Sequence, residues 1–185
     1  MNRRSFLAWL AASSASHSAW AAQDPELLNA LSKALSSESF DDKFDASVWL
    51  TLMSQRLSKF NSNPTEVVQI LTSVHQQAAR NELPPEMVLS VMHVESLFDR
   101  FAISRVGAQG LMQIMPFWKE EIDRPEANLF DIDTNVRFGC TILRHYLDRE
   151  TGNWTRALAR YNGSLGKTWY PERVMNAWDR YWFPG

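Results

Sequence analysis

Glu95 is the residue in this sequence best placed to move a proton. In and just before the stretch Leu89 to Pro116, LSVMHVESLFDRFAISRVGAQGLMQIMP, the apolar residues Met87, Val88, Val91, Met92 and Phe98 recur at three- and four-residue steps. That spacing puts Glu95 on the apolar stripe of an amphipathic helix. Burial there disfavours the carboxylate, and the last helical turn sets a negative charge against the negative end of the macrodipole. Both effects raise the pKa, which suits a general acid near neutral pH. The same spacing also suits a boundary glutamate turned to solvent or neutralised by Arg100 or Arg105.

Around Glu95 stand residues suited to holding a polar ligand. Gly107, Gln109 and Gly110 form a turn in which glycine permits positive φ or close backbone approach. Gln113 supplies a donor and an acceptor, and Met112 an adaptable apolar surface, a combination suited to a polar ligand, although Gln113 by itself equally suits the surface. Other chemistries find less support. His93 and Glu95 make only His-x-Glu, two residues apart on a helix and pointing to different sides, with no His-Glu-x-x-His helix and no cysteine pair. No metal and no cofactor is expected. Cys140 is the only cysteine, so an intramolecular disulfide is impossible, and its setting in Phe138-Gly139-Cys140-Thr141-Ile142 suits a small buried apolar residue. Neither a Gly-x-Ser-x-Gly elbow nor a phosphate-cradling loop is present.

The elements that must position these residues are helical. The helix bearing Glu95 is expected from Pro84-Pro85 to about Phe98, since proline is tolerated in a first turn. Before it, Leu27, Leu28, Leu31 and Leu35 mark a helix, Trp49 to about Phe60 a second, and Thr65 to Arg80 a third with Thr65 at its cap. After it come a short helix over Phe117 to Ile122, a long one carrying Val136, Phe138, Cys140, Ile142, Leu143, Tyr146 and Leu147 and ending at Thr151-Gly152, and Trp154 to Tyr161. The last helix is expected from Val174 to Trp182, opened by Pro171. No alternating strand, internal repeat or low-complexity tract is found, so the fold class is mainly α.

The motifs Glu95-Ser96, Ser104, Gly107-Ala108, Gly110-Leu111-Met112-Gln113 and Pro116, then Ala159-Arg160-Tyr161-Asn162-Gly163, together resemble the signature of the soluble lytic transglycosylase (SLT) domain. The resemblance covers roughly Thr65 to Trp182. It implies a lysozyme-like helical fold with a substrate groove between two lobes, and an enzyme that cleaves bacterial peptidoglycan. It implies Glu95 as the catalytic acid, with Ser104, Gly110, Met112, Gln113, Tyr161 and Asn162 holding the glycan. In that comparison Ser104 contacts the acid or the sugar, and the Tyr161 hydroxyl bonds the Glu95 carboxyl from across the groove. The sequence departs from the family in Tyr161-Asn162-Gly163-Ser164, where many members have Asn-Ala-Gly. Read without the resemblance, Ser104 suits a turn, Tyr161 a core face and Asn162 a helix C-cap.

Composition sets the surroundings. With 185 residues, 45% hydrophobic and 22% charged, the chain suits one globular catalytic domain. Residues 64–185 are expected to form that domain, and residues 22–63 a helical extension with its boundary at Asn61-Ser62-Asn63-Pro64. The eight Trp and ten Phe suit core packing, with some left to line a sugar groove. Arg3-Arg4, the apolar run Phe6 to Ala12 and Ala19-Trp20-Ala21 read as a signal peptide over residues 1–21, by the twin-arginine or the general secretory route. The expected location is the periplasm. No lipid anchor is expected, since no cysteine follows the leader. The net charge is −2, and losing Arg3 and Arg4 makes it more negative, which excludes a nucleic-acid partner. The sequence names no protein partner in the cell wall or in a secretion machine.

The expected reaction is cleavage of the β-1,4 bond between N-acetylmuramic acid and N-acetylglucosamine, leaving 1,6-anhydro-muramyl ends. A lysozyme-type hydrolase of the same bond and a non-catalytic peptidoglycan-binding module are the alternatives. A two-carboxylate hydrolase needs a second Asp or Glu facing Glu95. Glu172 is the best remaining candidate, although Tyr170-Pro171-Glu172-Arg173 reads as a first helical turn.

Overall fold

The computed structural model describes residues 43–122 and 124–183. The expected signal peptide and the expected helix over Pro25 to Leu35 lie outside them. Among the described residues the chain forms α1 (Lys43–Leu57), α2 (Pro64–Arg80), α3 (Pro85–Glu95), α4 (Trp118–Glu121), α5 (Ile132–Arg149), α6 (Trp154–Tyr161), α7 (Trp169–Ala177) and a π-helical turn, Trp178–Trp182. The only strand-like pairings among these residues are isolated antiparallel bridges, Ile103 with Gln109 and Gln109 with Ile114. The mainly helical class expected from periodicity is the class observed.

Helix α3 is the axis of this arrangement, packed against α2, α7 and the π-turn. Six consecutive residues, Met87 to Met92, are buried, so α3 is enclosed on all sides rather than amphipathic as its spacing suggested. It starts where proline allows, with Pro84 at the N-cap and Pro85 in the first turn, where the missing N–H would have had no helical partner. It ends three residues earlier than expected. Leu97 and Phe98 adopt φ of +51° and +66°, left-handed backbone that no α-helix can continue through.

The neighbouring helices are set by short polar caps. Asn63, not Thr65, caps α2, its side chain accepting from Glu66 N at 3.1 Å. Asp131 caps α5 through Thr134 N, and Asn153 caps α6 through Arg156 N, each satisfying one of the orphan donors of a first turn. Helix α1 belongs to the expected extension, and it buries Leu50, Met53 and Leu57 in the same core as α2 and α3. Trp49 Nε1 adds a hydrogen bond to Glu86 at 2.7 Å, joining α1 to the first turn of α3. Helix α7 begins at Trp169, five residues earlier than expected, because Pro171 stands at its third position. Amide hydrogens in a first turn have no helical acceptor, so proline there removes nothing.

Candidate active site

The end of α3 and the Gly110-Leu111-Met112-Gln113 turn are held together by side chains from three helices. From α3, Ser96 Oγ donates to Leu111 O at 2.7 Å and accepts from Phe98 N. From α5, Asn135, only 1% exposed, donates through Nδ2 to Gln109 O and Leu129 O and accepts Met112 N at 2.8 Å. From α6, Tyr161 donates its hydroxyl to Met112 O at 2.8 Å. Buried polar side chains are tolerated when saturated in this way, and removing one partner leaves the others unpaired at about 1–3 kcal/mol each.

Two glycines make that assembly sterically possible. Gly110 has φ of +78°, and a Cβ there would stand 2.3 Å from Asn135 Nδ2 and 2.4 Å from Leu129 O, so both its conformation and its lack of a side chain are required. A Cβ at Gly139 of α5 would meet Met112 Sδ at 2.1 Å. Met112 is fully buried there. Its side chain therefore fills the space beside α5 and is not the ligand-facing surface expected for it, while its backbone serves as the anchor for Asn135 and Tyr161.

Glu95 is the last residue of α3 and is half-buried. Tyr170, in the first turn of α7, donates its hydroxyl to Glu95 Oε1 at 2.5 Å. Burial raises the Glu95 pKa to about 7, the Tyr170 hydrogen bond and the charge of Arg173 pulling it back only in part. The acid is thus protonated up to neutral pH, the state a proton donor requires. The cation it feels is Arg173, not Arg100 or Arg105. Arg100 is engaged with Phe130 O at 2.8 and 3.1 Å. The tyrosine on the carboxyl is Tyr170 where Tyr161 was expected. Burial pushes both phenols well above their ordinary range, and the charge of Glu95 adds to this in each case. Both therefore stay protonated donors, with Tyr161 close enough to sense Glu95 while spending its proton on Met112 O.

The other expected site residues take different positions. Ser104 Oγ accepts Ala108 N at 3.0 Å and its carbonyl accepts Gly107 N, so it closes the loop that precedes the turn and makes no contact with Glu95. Gln113 has φ of +50° and gives both amide hydrogens to the loop, one to Ala102 O at 3.1 Å and one to Gly110 O at 2.9 Å. Its Oε1 carries no hydrogen-bond partner among the described residues. Asn162 is the C-cap of α6. Glu172 is exposed and lies two residues beyond Tyr170 on α7, about 200° around that helix and so on the side away from Glu95. Arg173, three residues beyond Tyr170, returns to the Glu95 side.

Tyr170 and Asn135 are the residues of this candidate site that the sequence did not single out. Tyr170 carried one usable signal, the proline after it, which marks a first turn. Asn135 carried none, since an asparagine in the first turn of a helix is ordinarily a surface residue.

The model of the transglycosylase SLT domain matches residues 72–179, and the chain belongs to that family. It is 34% identical over 104 residues to a transglycosylase of Enterobacteria phage PRD1, covering 53% of this chain and 38% of the phage protein. It is 34% identical over 99 residues to membrane-bound lytic murein transglycosylase F of Desulfosudis oleivorans, covering 50% of this chain and 21% of that one. The chain thus spans well under half the length of these relatives. The crystal structure of an inactive mutant of lytic transglycosylase Slt from Pseudomonas aeruginosa aligns with a TM-score of 0.47 at 19% identity, covering 82% of this chain and 33% of that chain.

Proposed function

We propose that this protein is a peptidoglycan lytic transglycosylase, cleaving the β-1,4 bond between N-acetylmuramic acid and N-acetylglucosamine with formation of 1,6-anhydro-muramyl ends. The observation that carries the reading is Glu95, neutral up to about pH 7 with the Tyr170 hydroxyl on one oxygen, while Glu172 faces away. Glu95 gives its proton to the leaving glycosidic oxygen as the C1–O bond breaks. With Glu172 turned away, the acetamido oxygen of the sugar itself stabilises the developing positive charge at C1. The Glu95 carboxylate then takes the proton of the muramyl 6-hydroxyl as that oxygen closes on C1, returning the acid to its starting form without water. The Tyr170 hydroxyl stabilises the carboxylate in between. Gln113 Oε1, its amide hydrogens already fixed to the loop, accepts the acetamido N–H of the bound sugar. Membership of the family and the names of the relatives support the same activity.

The test is digestion of isolated sacculi in ¹⁸O-labelled water, with the released muropeptides identified by mass. Unlabelled 1,6-anhydro products are expected. Labelled reducing ends as the main product would replace this reading with a lysozyme-type hydrolase, and binding to sacculi without release would replace it with a non-catalytic module. The same reading places the protein in the periplasm after removal of residues 1–21. The exported form should then begin at Ala22, and N-terminal sequencing that finds Met1 would contradict this. No helix among the described residues is long and apolar enough to cross a membrane.

A further inference from the structure

On the far side of α3 from Glu95 is a pocket of about 350 Å³. His93 precedes Glu95 by two residues, about 200° around α3, and its ring stacks on Tyr181 with centroids 4.7 Å apart and planes at 19°. Tyr181 also meets Phe60 edge-on at 5.6 Å. It is 41% exposed and Phe183 is 53% exposed, so the pocket has an aromatic wall braced from behind. Its polar lining is Arg56, Lys59, Arg180 and Asp179, an excess of positive charge on a chain whose net charge is −2.

Arg56 supplies the most directional group. Its Nη1 donates to Tyr181 O at 3.1 Å and to Phe183 O at 2.7 Å, which fixes the guanidinium plane. The opposite edge, Nε and Nη2, has no hydrogen-bond partner among the described residues, and two parallel N–H groups on one edge match the geometry of a carboxylate. Lys59 and Arg180 are exposed. Six of the seven lining residues lie outside the segment 72–179 that matches the family. The pocket is therefore built mostly by residues that flank that segment, at the end of α1 and around the π-turn, and it faces away from Glu95.

We propose that this pocket docks an acidic peptide segment of a protein partner. A carboxylate sits on the free edge of Arg56, flanked by Lys59 and Arg180, and a neighbouring apolar or aromatic side chain lies on Tyr181 and Phe183. The proposal is independent of the reading of Glu95. It is tested on the full chain with a fluorescein-labelled probe peptide, Asp-Phe-Glu-Leu-Asp, followed by fluorescence anisotropy. A second probe replaces the acids by Asn and Gln, and unlabelled disaccharide-tetrapeptide from peptidoglycan serves as competitor.

The acidic probe is expected to bind with Kd on the order of 10–100 μM and to weaken with salt. The amide probe should bind at least about tenfold more weakly, and Lys59→Glu with Arg180→Glu should weaken the acidic probe by a similar factor. That double variant should keep the wild-type melting temperature and turn over sacculi within about twofold of wild type, since neither residue approaches Glu95. Equal binding of the two probes, wild-type binding by the double variant, or no binding of the acidic probe overturns the proposal. Displacement of the probe by the disaccharide-tetrapeptide at comparable concentration would overturn it too, assigning the pocket to substrate.

Discussion

Helix α3 presents a titratable group on each of two sides, His93 and Glu95, and burial acts on both. It raises the carboxyl of Glu95 to about 7 and lowers the imidazole of His93 below its ordinary value. In each case the charged form is disfavoured, so Glu95 keeps its proton up to the approach of pH 7, where it is about half ionised, and burial favours the neutral imidazole of His93. The surroundings differ. Glu95 faces Tyr170 and Arg173, groups that favour its anion once the proton has left. His93 lies among the rings of Phe60, Phe98, Tyr181 and Trp182, and its Nδ1 is buried without a hydrogen-bond partner. Desolvation alone makes a group neutral. What makes a neutral group useful is a partner for the charge it acquires when it reacts, and only the Glu95 side of α3 supplies one.

Glu95→Gln is the hardest test of that contrast. If Glu95 is the general acid proposed above, its loss should lower turnover of sacculi by about 10² to 10⁴ while the circular dichroism spectrum is retained. The folded-state pKa of Glu95 lies above its unfolded value, so wild-type stability declines as pH rises from the ordinary glutamate range to about 7. Glutamine escapes this, and the variant should be more stable by ~2 kcal/mol above pH 7, a gain that disappears at acid pH. Denaturant titrations at both ends of that range measure it, and a gain that is larger at acid pH would contradict the assigned pKa.

Tyr170→Phe should act more mildly and on both limbs of the reaction. Without the hydroxyl the anion loses support, so the maximal rate should fall about tenfold. The Glu95 pKa should rise, and the fall in rate on the alkaline side should move to higher pH. A loss of rate with an unmoved pH profile would reduce Tyr170 to a packing residue. The smallest effect is expected at His93→Phe, which keeps an aromatic ring against Tyr181 and removes the unpartnered nitrogen. Its pH profile should match wild type and its stability should stay within about 1 kcal/mol. A shifted alkaline limb in that variant would mean that the two sides of α3 are electrostatically coupled after all.

The parts of this molecule that were legible in sequence are those governed by local rules. Apolar spacing located α2, α5 and α6, and Glu95 on a buried stripe at a helix end carried its raised pKa in advance. The misreadings at the site itself concern long-range contacts, while the ends of α3 and α7 and the cap of α2 were misjudged locally. Met112 and Gln113 are neighbours in a motif, yet one is buried against Gly139 and the other keeps a free oxygen, a distinction made by α5 some 25 residues away in sequence. Tyr161 was expected on the Glu95 carboxyl and Tyr170 takes that place, which depends on where α7 begins, a start that proline within a first turn disguises.

Asn135 joins two backbone groups of the glycine turn, Gln109 O and Met112 N, to Leu129 O just before α5 through a single amide. No other side chain of that length offers donors at one end of the group and an acceptor at the other. A change at Asn135 therefore disturbs all three groups together, whereas Leu97, Ile103 and Val106 are exposed on the loop that leads into the turn. Substitutions at those exposed positions can accumulate one at a time without disturbing the hydrogen bonds that tie the turn to α5.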